Sequence, residues 1–165
     1  MKLRWVSALL AAALGTGLYA ANVLATPSSG LTTTILAKSL FDEFAVNSHT
    51  IPADTWQARL KTRGQSDVYV VDNKLAPAGT TGWHSHPGPS LILVVAGTVT
   101  NYTSDDPTCS GHPYTAGTGF IDPGGGDVHM LRNDSNTQTA ETIAVQILPK
   151  DAVRRIDEPQ PANCQ

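Results

Sequence analysis

Three histidines are the residues of this chain whose type and spacing suit chemistry. His84 and His86 stand one residue apart in WHSHPGPSLILVVAG, at the head of an apolar run that reads as a buried strand. Side chains alternate along a strand, so both imidazoles point to one face. The same parity carries Ser90, Ile92 and Val94 to that face, which makes a pocket with a hydroxyl and apolar groups in its wall. Neutral imidazole is a common ligand for divalent metals, and two on one face form half a site. An HxH pair alone is equally well read as two core or solvated histidines. His129 changes the balance, because it heads another strand after the glycine-rich turn DPGGGDV. Asp127, two residues before it, is a candidate to face the same pocket, and Asp122 is a weaker one.

The elements that must hold these residues are short strands, punctuated by 14 glycines and 11 prolines. Leu31 to Phe44 is rich in β-branched residues and reads as one or two strands, an edge or arm, with helix competing over Ala37 to Phe44. A turn is expected from Asn47 to Asp54, where Pro52 bars regular structure. Strands follow at Trp56 to Arg63 and Asp67 to Asp72, and LAPAGTTG reads as a loop delivering the chain to His84. Thr98 to Tyr102 and Glu141 to Pro149 complete the set. Frequent turns and the absence of a convincing amphipathic helix argue for an all-β antiparallel barrel or jelly roll. His49 and His112 fall in turns and are expected to face solvent, and Ser90 lacks the strained elbow of a serine hydrolase.

Residues 1–25 differ from the rest. Lys2 and Arg4 precede the apolar run Trp5 to Leu14, and Val23-Leu24-Ala25 ends it with small residues. This reads as a secretory signal peptide cleaved after Ala25, which leaves residues 26–165 as one domain in a secreted or periplasmic protein. The alternative is a retained membrane anchor over residues 5–25. Removing the segment lowers the 11 Lys and Arg to 9 against 14 Asp and Glu, so nucleic acid is disfavoured as a partner. Cys109 and Cys164 both lie in the exported part, where an oxidising compartment favours a disulfide; two free thiols are the alternative.

The two histidine stretches resemble the two motifs of the cupin superfamily. In the first, residues 79–97, Gly79 stands one residue closer to His84 than the family pattern has it, His84 and His86 match, Ser90 occupies the glutamate position, and Gly97 is in register. In the second, residues 117–133, Gly117, Pro123, His129 and Asn133 fall into place; the turn is one residue longer than the family pattern if Gly125 is the matching glycine, or the spacing is kept from Gly126. The resemblance implies a double-stranded β-helix, or jelly-roll barrel, and a metal site at His84, His86 and His129 without the usual carboxylate. It also implies a homodimer as one state of assembly.

One divalent metal ion is therefore expected as cofactor, with iron preferred and manganese, nickel, copper or zinc as alternatives. Two functions follow. The first is a metal-dependent oxidoreductase of dioxygenase type acting on a small organic molecule. The second is a non-catalytic cupin that holds a small ligand or a metal, since fold alone does not set function.

Overall fold

A computed structural model describes residues 24–51 and 55–165. The regular structure of the described chain is almost entirely strand: β1 (Ser29–Phe41), β2 (Ala45–His49), β3 (Gln57–Lys61), β4 (Ser66–Thr80), β5 (His84–Ser85), β6 (Ser90–Ala96), β7 (Thr98–Thr103), β8 (His112–Thr115), β9 (Gly119–Asp122), β10 (His129–Arg132), β11 (Ala140–Pro149) and β12 (Ile156–Asp157), then a single turn of 3-10 helix at Ala162–Cys164. Ten strands share one antiparallel sheet in the order β12-β5-β10-β4-β11-β6-β9, with β1 on β4, β7 on β10 and β8 on β7. This is the expected all-β jelly-roll barrel.

Strict alternation builds the interior. Along β11, Ala140, Thr142, Ala144, Gln146 and Leu148 are buried while the residues between them are less so. Along β6, Ser90, Ile92 and Val94 turn inward, and Leu91, Leu93 and Val95 turn out. The inward apolar groups form two clusters. Tyr69, Val71, Ile92, Ala144 and Leu148 make one, and Leu75, Val94, Val99, Leu131 and Ala140 make the other, with Phe120 against both. Leu75 is fully buried, and truncating such a side chain to alanine costs about 2–5 kcal/mol.

Several expectations are corrected. Residues 37–41 continue β1 in register with β4, so the helical alternative fails there. The turn expected from Asn47 begins later, because β2 runs to His49 in a hairpin with β3. The stretch LAPAGTTG is strand as far as Thr80. A register shift opposite Gly30 makes a bulge of residues 76–79, which accommodates Pro77 without a lost ladder bond. The histidine strand is two strands, since Pro87 and Pro89 cannot donate to a ladder and break it between β5 and β6. His49 and His112 are exposed, as expected.

Cys109 and Cys164 are joined, which ties the carboxy-terminal tail to the β7–β8 loop. The expected signal peptide, like the alternative anchor, lies outside the described residues but for Leu24 and Ala25. No described helix is long and apolar enough to cross a membrane.

Candidate metal centre

Strand register assembles the three histidines. His84 on β5 is the direct antiparallel partner of His129 on β10, and directly opposed side chains are close neighbours. Their ring centroids are 4.4 Å apart, and the His86 ring lies 4.9 Å from His84 and 5.6 Å from His129. One nitrogen from each ring lies within 4.8 Å of the others, and all three side chains are buried. Two glycines make the approach of the motifs possible. A Cβ on Gly124 would come within 2.2 Å of the Gly88 backbone, and one on Gly88 within 2.3 Å of the Ile147 carbonyl. Gly124, Gly125 and Gly126 all have positive φ, and of the three only Gly124 is also packed against another segment, so the first glycine after Pro123 is the one that the approach of the two motifs needs.

Hydrogen bonds orient the rings. His84 Nδ1 donates to the Gly82 carbonyl at 2.9 Å, and His86 Nδ1 donates to the Arg154 carbonyl at 2.6 Å. A carbonyl only accepts, so each Nδ1 carries the proton and each Nε2 keeps its lone pair. His129 Nδ1 is buried without a hydrogen-bond partner, 3.8 Å from Asp122 Oδ1. Burial holds His86 down at about 4, well below the ordinary 6.5, with the Arg154 carbonyl opposing. Burial also lowers His84 and His129, and Asp122 and then Asp127 oppose the shift at His129. All three rings are thus neutral imidazoles near pH 7, the form that binds a metal. The donor set fits one borderline divalent ion.

The position of the family glutamate is filled by a row of side chains. Gln146, Ser90 and Asp122 are successive partners across β11, β6 and β9. Gln146 Nε2 donates to Ser90 Oγ at 3.2 Å, and Ser90 Oγ donates to Asp122 Oδ2 at 3.1 Å. Arg154 Nη1 donates to Gln146 Oε1 at 3.1 Å, which closes a chain from guanidinium to carboxylate.

The histidines open on an interior cavity of about 50 Å³. Ser90 and Ile92 line it. Val94 does not, because two residues further along β6 the interior is filled by the second apolar cluster. Asp127 also stands outside the cavity wall; it is half-buried beside Asp122 and His129, and burial raises its carboxyl. Sequence reasoning missed Gln146, Arg154, Arg155 and Thr142, all in the wall. Gln146 and Thr142 left a signal, as polar residues at inward positions of β11. Asn133, the last residue of the second motif, is structural: its Nδ2 donates to the carbonyls of Leu75, Ala76 and Gln138.

A double-stranded β-helix with both histidine motifs at its strand heads is a cupin fold. No family model and no curated protein matches the chain. Solved structures do. The polyketide cyclase RemF from Streptomyces resistomycificus is similar with a TM-score of 0.52 at 16% identity, over 86% of this chain and 82% of that one. Peruvianin-I, a cysteine peptidase from Thevetia peruviana latex, gives 0.50 at 21% identity over 79% and 68%. A cupin superfamily protein from Desulfitobacterium hafniense gives 0.43 at 10% identity over 66% and 81%. For the first two, at such identities, the likeness is one of fold.

Proposed function

We propose that the chain is a secreted metal-dependent oxidoreductase of dioxygenase type, which acts on a small organic molecule at His84, His86 and His129. The observation that supports this most is the orientation of the buried imidazoles. Two have their Nδ1 protons committed to backbone carbonyls, which leaves neutral Nε2 donors beside a cavity. A divalent ion there, iron by preference, would supply Lewis acidity and redox chemistry with dioxygen. The protein's part is to hold and exclude. Ser90 keeps Asp122 turned to the His129 side, Ile92 and Leu131 give the cavity apolar walls, and Gln146 and Arg154 offer polar groups to a substrate. A cysteine nucleophile has no place here, since both cysteines are bridged.

Export belongs to the same reading, with residues 26–165 as the mature single domain. The disulfide supports it, because such bonds persist in oxidising compartments.

The second reading, a non-catalytic binding cupin, draws on Ser90 in place of the glutamate ligand. Dioxygen uptake separates the two. Iron(II)-loaded protein is offered a panel of small organic acids, diketones and catechols in an oxygen electrode. Uptake that His84→Ala abolishes supports the enzyme; ligand binding without uptake across the panel supports the binder.

A further inference from the structure

The cavity wall is unbalanced in charge. Its charged residues are Arg154 and Arg155, and it includes no Asp or Glu. Arg155 is partly satisfied, since its Nε donates to Asp157 at 2.7 Å and its Nη2 to the Thr81 carbonyl at 2.6 Å. Arg154 is not. None of the ion pairs among the described residues includes it, and its guanidinium makes one hydrogen bond there, to Gln146. A guanidinium carries five N–H donors, so most of this fork is uncommitted.

A second wall group is also unsatisfied. Thr142 is fully buried, and its Oγ1 has no hydrogen-bond partner. An orphaned buried hydroxyl and a half-buried, unpaired cation in one cavity wall are both costly unless a ligand serves them.

We infer that this cavity binds a small organic carboxylate, with Arg154 as the residue that recognises its charge and Thr142 as a hydrogen-bonding partner. A planar fork matches a carboxylate in two parallel hydrogen bonds, which a neutral ligand cannot reproduce. Size sets a bound as well. A cavity of about 50 Å³ holds a group of only a few heavy atoms. This assignment rests on the proposed function in one respect: three neutral ligands leave a divalent ion's charge uncompensated, which adds to the demand for an anion. The Arg154 contact stands without it.

Acetate and acetamide are the probes, because they share shape and differ in charge. Each is titrated calorimetrically into the full exported chain as isolated, at fixed ionic strength, with metal content measured on the same samples. Acetate is expected to bind at least about tenfold more tightly than acetamide. Arg154→Gln is expected to weaken acetate by about ten- to a hundredfold, with acetamide and metal content unchanged. Arg154→Lys should recover part of the loss. Equal binding of the two probes, no acetate binding, or acetate binding by Arg154→Gln as tight as wild type would overturn the assignment. If Arg154→Gln does not fold, the wild-type comparison of the two probes decides. A metal-free wild type that still prefers acetate would count against the metal reading and for Arg154; a metal-loaded one without preference would do the reverse.

Discussion

Ser90 Oγ donates to Asp122 Oδ2 at 3.1 Å across the β6–β9 ladder, and the other oxygen of that carboxylate lies 3.8 Å from His129 Nδ1. The negative charge missing at position 90 is thus present one strand away, beside the His129 ring. At 3.8 Å the carboxylate makes no hydrogen bond with the ring, and it acts on the imidazole through its charge, which favours a cation bound there.

Asp122→Asn is accordingly expected to weaken metal affinity by about ten- to a hundredfold, as substitution of such an outer partner does. Ser90→Ala should leave metal content nearly unchanged but lower stability by about 1–3 kcal/mol, since buried Asp122 then keeps only the Gly124 N–H. Competition with a metallochromic chelator and urea unfolding of the two variants measure these effects. Equal affinity in Asp122→Asn and wild type would leave the carboxylate without a role.

Acid should destabilise the metal-free protein in a defined window. His86 titrates at about 4 when folded and at its ordinary 6.5 when unfolded, so between these values the unfolded chain holds more protons. Stability is then fully present above 6.5 and declines as the pH falls toward 4, by at most about 1.4 kcal/mol per pH unit for each histidine. His84 and His129 shift in the same direction and add to the decline. Urea midpoints from pH 7.5 to 4.5 measure it, and His86→Gln should flatten the curve. A flat wild-type curve would mean that the imidazoles are not buried neutral.

The fold and the site were legible to different depths. His84, His86, Ser90 and Ile92 followed from period-two alternation, which survives even though two prolines split their strand. Val94 shares that parity but not that surroundings, because alternation sets the face and not the depth along the barrel. Arg154 left no trace at all: it follows Pro149 and the turn at Asp151, in an irregular stretch with no periodicity, and reaches His86 only by folding back. The strand β12 was missed for the same reason, as two residues pair with β5 by tertiary placement alone.

Reduction of the Cys109–Cys164 bond is expected to cost about 4 kcal/mol on the chain-entropy model, given a separation of 55 residues. Thermal unfolding with and without reductant measures the loss. An unchanged midpoint in fully reduced protein would show that other contacts hold the tail.

Export predicts a mature chain beginning at or within a few residues of Thr26, whose N–H donates to the Glu158 carbonyl at 2.9 Å. Amino-terminal sequencing of the extracellular or periplasmic protein reads this directly. A chain retaining Met1 in the membrane fraction would favour the anchored alternative.

The central claim is that His84, His86 and His129 together hold one divalent metal. Elemental analysis of the purified wild type beside His84→Ala and His129→Ala tests it most directly. The expected result is about one transition-metal ion per chain in the wild type and a sharp loss in both variants, since each removes one of three donors. Equal metal content in all three proteins, or none in a wild type refolded with iron, zinc or copper, would contradict the site.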